Sequence, residues 1–209
     1  MDVDPIASMR IWAIEIQLGG RTFDVPALPA ADWFPVLMAG DPSQILDLLR
    51  SDPLDSENLD ELLLTGAVAG ADLGQALVDA IEEVAGRSFH AAFVLASVAA
   101  ANWPSINGRL AERGFRWDLM PLGAALDAIY SIVTNGLDKD PREKFLRLLD
   151  NETLTGGRPR AHNREKVTAE FETIAGPKPT GGLRASGAPS DSARPKTRPR
   201  PQPRPQDAP

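Results

Sequence analysis

The chain has 209 residues, with 22 Lys and Arg, 29 Asp and Glu, no cysteine and a formal charge of −7. That length allows one domain, or one domain plus an appendage. The missing thiols exclude disulfides and thiolate metal sites, and the acidic balance argues against a fold that itself clamps nucleic acid. The charge is uneven: residues 1–150 hold 11 basic and 23 acidic side chains, whereas residues 151–209 hold 11 and 6.

Residues 1–10, MDVDPIASMR, are acidic without an apolar segment, and predict a flexible N-terminus rather than a signal peptide. Residues 11–152 predict an acidic, mainly helical domain that opens on a β-hairpin. There Trp12, Ile14, Ile16 and Leu18 alternate with Ala13, Glu15 and Gln17, and Gly19-Gly20 suits a tight turn into Arg21-Thr22-Phe23-Asp24-Val25. Pro26 and Pro29 end the sheet character. A short helix follows over 30–38. Asp41-Pro42 predicts a capped start for a helix buried on Ile45, Leu46 and Leu49. Asp55 predicts a second cap, with Leu54 and Leu59 as a hydrophobic staple. Asp72 predicts a third, before the stripe Leu73, Ala76, Leu77, Ala80, Ile81 and Val84, closed by Gly86.

Ser88 then opens a helix over 89–101 that is apolar nearly all round and so is expected at the centre of the fold. It is too short to span a bilayer, and the chain reads as a soluble, intracellular protein without membrane contact. Trp103-Pro104 is expected to stop it, with a further helix over 105–113 ending at Gly114. Pro121 starts the next, on Leu122, Leu126, Ile129 and Val133. Asp140-Pro141-Arg142-Glu143 reads as a capping box for a helix anchored by Phe145, Leu148 and Leu149. Residues 153–162 predict a linker. Asn163 is expected to cap an amphipathic helix over 163–175, whose stripe is Val167, Phe171 and Ile174, and Gly176-Pro177 ends it.

Residues 176–209 carry nine prolines and one large aliphatic side chain, Leu183, and predict a disordered basic tail. Four Arg-Pro pairs, at 194, 198, 200 and 204, favour extended polyproline conformations. Two readings of the tail stand: a solubilising appendage without a target, or a contact for RNA, an acidic protein face or an aromatic groove. The stripe of 163–175 also has two readings, docking on a neighbour or client and packing on its own domain.

Candidates for chemistry are few. His90 lies inside the most apolar helix with no second histidine in the body, which fits a structural role better than catalysis; His162 falls in the linker beside Arg160 and Arg164. The pairs Asp60/Glu61, Glu82/Glu83 and Asp138/Asp140 lack the spacing of a calcium loop or zinc helix and are explained as caps and solvated faces. Gly19-Gly20 and Gly156-Gly157 match no phosphate-loop pattern. Trp12, Trp33, Trp103 and Trp117 are not interleaved with Lys and Arg as a base-stacking platform would be. No catalytic, cofactor-binding or metal site is therefore expected.

Three stretches carry a family likeness. They are Gly19-Gly20-Arg21 through Pro26-Ala27-Leu28-Pro29-Ala30-Ala31-Asp32-Trp33, then Gly86-Arg87-Ser88-Phe89-His90-Ala91-Ala92 through Asn102-Trp103-Pro104, and Gly114-Phe115-Arg116-Trp117 through Leu122-Gly123-Ala124-Ala125-Leu126-Asp127. With them the chain resembles, over most of residues 10–178, the tail assembly chaperones of long-tailed (siphovirus-type) actinobacterial phages. The resemblance implies a non-enzymatic protein that coats the tape measure protein, keeps it soluble, helps recruit tail tube subunits and leaves before the virion matures. It implies work in the host cytoplasm, in many copies, and a longer product made by ribosomal frameshifting. Gly176-Pro177-Lys178 can be encoded GGC CCA AAG, which contains a slippery heptamer where the body gives way to the tail.

Self-association and a helical client are thus the expected partners, with Trp33, Trp117 and the 163–175 helix (Val167, Phe171, Ile174) as contact anchors. Two other readings fit the same sequence: another phage tail or connector structural protein, and a nucleic-acid-binding regulator acting through the Arg-Pro tail.

Overall fold

A computed structural model describes residues 14–25, 28–50, 53–151 and 163–176. The expectations for residues 1–10, Trp12, the 153–162 linker, His162 and the tail beyond Gly176 lie outside the described residues.

The domain is mainly α-helical with an N-terminal antiparallel hairpin. Strands β1 (Ile14–Leu18) and β2 (Arg21–Val25) pair in the register Ile14↔Val25, Ile16↔Phe23 and Leu18↔Arg21. Alternation puts Ile14, Ile16, Leu18, Phe23 and Val25 on the buried face and Glu15, Gln17, Thr22 and Asp24 outside. Gly19 and Gly20 make the turn at φ 55° and 79°, a region closed to most side chains.

Helix α1 (Ala30–Ala39) starts after Pro29 and ends at left-handed Gly40. Asp41 accepts a hydrogen bond from Ser43 N (2.9 Å), capping a 3-10 turn that leads into α2 (Ile45–Leu49). Helix α3 spans Pro53–Thr65, so Asp55 is a first-turn residue and not the cap. Leu54 and Leu59 then lie five residues apart in one helix, about 140° round its axis. Leu59 is buried and Leu54 is 67% exposed, so the expected staple does not form.

Helix α4 (Gly70–Ala85) also begins early, with Ala69 as its N-cap three residues before the expected Asp72. Its stripe is as read, with Leu77, Ala80 and Ile81 buried. Helix α5 (Phe89–Ala101) begins where expected, with Ser88 Oγ accepting from Ala91 N (3.2 Å) and Glu82 Oε1 from Phe89 N (2.9 Å). Ten of its thirteen residues are buried, and it packs against α1, α4 and the later helices Leu122–Asn135, Lys139–Asp150 and Asn163–Ala175.

Trp103-Pro104 does not simply end α5. Asn102 is the shared cap, and Trp103 and Pro104 form the first turn of α6 (Trp103–Glu112), where a missing proline N–H costs nothing. Left-handed Gly114 and a 3-10 turn at Trp117–Leu119 lead to α7 (Leu122–Asn135), on whose buried face lie Leu122, Leu126, Ile129 and Val133. Helix α8 (Lys139–Asp150) starts after Asp138, so Asp140 and Pro141 sit in its first turn instead of forming the predicted box. Arg142 Nε, one turn on, donates to the Thr134 carbonyl at the end of α7 (2.9 Å). Helix α9 (Asn163–Ala175) closes the domain against α5 and α8 and ends at left-handed Gly176.

Candidate functional site

Several of the candidate titratable side chains are engaged in structure. His90 is buried, and its Nε2 lies 3.0 Å from the Leu148 carbonyl oxygen, tying α5 to the last turn of α8. A carbonyl only accepts, so that nitrogen carries the proton. Asp60 pairs with Arg50 (3.0 Å) and Glu61 with Arg21 (2.8 Å), while Glu82 caps α5. Among the described residues no group of three or more His, Asp or Glu is placed to hold a metal ion, and no single helix is long and apolar enough to cross a membrane.

Of the anchors read from the sequence, Trp33 is 1% exposed, and Val167 and Phe171 are buried too. Trp33 is core because α1 turns its indole inward with Leu37. Val167 and Phe171 are core because α9 lays its stripe on its own domain, with Phe171 edge-on to Phe145 at 5.5 Å. These three side chains present no surface to a partner. Ile174 is half-buried at the end of the same stripe and borders a small groove between α8 and α9 with Lys144, Arg147 and Glu170.

Trp117 differs from these three. It is half-buried and stands in an aromatic corner with Phe34 (5.4 Å) and Trp103 (4.6 Å), both edge-on. Around it the chain exposes Phe115 and Leu119, the latter to 60%. Arg116 closes the rim by gripping Asp118 through two hydrogen bonds, Nε to Oδ1 (3.1 Å) and Nη2 to Oδ2 (2.8 Å). Hydrogen bonding to Arg116 holds the Asp118 carboxyl below the usual aspartate range, and the same bond raises the Arg116 guanidinium. An apolar centre of large aromatic and aliphatic groups beside an arginine has the composition of a protein-binding hot spot. Phe115 and Leu119 were missed because they lie in an aperiodic connection. Their one sequence signal was adjacency to Trp117.

The corner also draws together segments far apart in the chain. Ala30 N donates to the Met120 carbonyl (2.7 Å), joining the start of α1 to the connection before α7. Arg87, between α4 and α5, pairs with Asp127 and lies over the Tyr130 ring of α7. At Gly123 a side chain would meet the carbonyl oxygens of Val84 and Ala85 at 3.3 and 3.4 Å, so α7 and the end of α4 approach backbone to backbone.

Comparison with known protein families, with curated proteins and with solved structures gives no significant match to this chain.

Proposed function

We propose that this chain is a tail assembly chaperone of a long-tailed phage. It binds the tape measure protein, keeps it soluble and helps recruit tail tube subunits, without catalysing a reaction. The observation that carries the reading is the convergence of the three resembling stretches. Phe34 (the residue that follows the first stretch), the Asn102-Trp103-Pro104 junction and the Trp117 connection meet at one aromatic corner, with Phe115 and Leu119 exposed on it, while Trp33 itself is core. The second and third stretches thus supply Trp103 and Trp117 to one amphipathic surface, and the first ends one residue short of Phe34, which completes it. The acidic body supports the same role, because many copies of a negative protein on an apolar client repel one another and hold it in solution.

Coating a long client requires many copies, so self-association belongs to the proposal. So do action in the host cytoplasm and departure before the virion is complete. Co-expression with the tape measure protein encoded beside it tests the reading. A soluble complex is expected, with the client insoluble when expressed alone. Trp117→Ala combined with Leu119→Asp, which leaves the buried stripes untouched, is expected to reduce co-purification at least about tenfold. A client that stays insoluble beside the wild-type chain overturns the proposal. Mass spectrometry of purified particles separates it from a tail or connector structural protein, which would remain in the virion.

A further inference from the structure

Helix α3 is held to the domain by one side only. Leu59 and Leu62 are buried, and Arg21 Nη1 reaches the Asn58 side chain (2.8 Å). The opposite side carries Leu54, Glu57 and Leu64 at the spacing i, i+3, i+10, a single stripe about 15 Å long, with Glu61, paired to Arg21, at its edge. Leu64 is 88% exposed, and Asp60 flanks it. Residues 51–86 hold nine Asp and Glu and no Lys or Arg, and the cations that reach this helix, Arg21 and Arg50, pair with Glu61 and Asp60 along its edge. A surface of leucines set among carboxylates fits a partner that alternates cations with compact apolar groups.

The chain itself contains such a segment. Residues 177–209 hold seven Lys and Arg against two Asp, and the last sixteen residues repeat Arg-Pro four times. We propose that the outer stripe of α3 is the docking surface for the chain's own residues 177–209, with arginines drawn to Glu57 and prolines over Leu54 and Leu64. The segment follows directly on Gly176, and its 33 residues reach at most about 110 Å. A domain of this size is about 40 Å across, so the stripe is within range. Tethering supplies an effective concentration on the order of millimolar, so contact within one molecule outcompetes contact between copies at micromolar protein. Two α3 faces of like charge repel each other, and an anionic lipid surface repels both.

Since the chain lacks cysteine, Gln206→Cys provides a single site for a nitroxide label on the full-length protein. A small amount of isotopically labelled, spin-labelled chain is mixed with excess unlabelled chain, and amide intensities are read by NMR. Residues 57–64 are expected to lose intensity by roughly twofold or more. They recover it at about 1 M salt, where the screening length falls to about 3 Å. They also recover it when Arg194, Arg198, Arg200 and Arg204 are changed to Gln, and in the surface variant Glu57→Lys with Leu64→Ser. Undiminished α3 signals overturn the proposal, as does broadening that survives the four Arg→Gln changes. Broadening only when label and isotope sit on different copies overturns it too.

Discussion

At Gly19 the hairpin turn approaches α3 so closely that one added methyl group is felt. A Cβ there would lie 2.8 Å from Leu62 Cδ2 and 3.0 Å from Val68 Cγ2, at a φ of 55°. Gly19→Ala is therefore expected to cost about 2–4 kcal/mol in urea unfolding, from backbone strain and overpacking together. Gly20→Ala, with nothing within 4 Å of the added carbon, is expected to cost only the backbone part, about 1–2 kcal/mol. The opposite sign is expected at Ser97, whose buried Oγ has no hydrogen-bond partner among the described residues. Ser97→Ala removes an unsatisfied hydroxyl and should stabilise the domain by about 1 kcal/mol. At Asp118 the expectation concerns pH. A carboxyl lowered by Arg116 supports the folded state above its unfolded pKa, near 4, and that support is lost as pH falls through the lower folded value. A carbon-detected titration should find Asp118 below the usual aspartate range, and Arg116→Gln should move it up. Both groups are exposed, so little change in unfolding free energy accompanies the shift.

Helix α9 is where element-scale energetics decide between the two readings of an apolar stripe. Phe171 packs edge-on to Phe145, and Val167 is sealed beneath the helix. Phe171→Ala should destabilise the domain by about 3–4 kcal/mol, against about 1 for the half-buried Ile174→Ala, by denaturant melts of the full chain. The periodicity of Val167, Phe171 and Ile174 was legible in the sequence, but a stripe announces only that something covers it. Which surface does so is a tertiary fact, and here it is α5 and α8. Helix existence was equally legible, while four starts were misplaced, by three residues at α3 and α4 and by two at α6 and α8. The cause is chemical: an aspartate stabilises a helix as its cap or inside its first turn, through the same exposed N–H groups. Asp55, Asp72 and Asp140 serve the second way. Proline is as ambiguous, because Pro104 cannot continue α5 yet is favoured in the first turn of α6. The aromatic corner was legible only through Trp117, since Phe34, Trp103 and Trp117 lie on separate elements that no local pattern connects.

For the molecule as a whole, packing is concentrated on one element. Helix α5 is surrounded by α1, α4, α7, α8 and α9, whereas α3 rests on two leucines and a few exposed ion pairs. Backbone amides should therefore exchange with deuterium by two routes. Those of α3 open locally and exchange early, while those of Phe93, Val94 and Leu95 wait for cooperative unfolding of the entire body. Their protection thus reads out global stability at single-residue resolution. Any macromolecule that engages only the native body must slow them in proportion to its occupancy, wherever on the surface it lands. The buried helix becomes a built-in gauge of ligation for the partner-binding role proposed above.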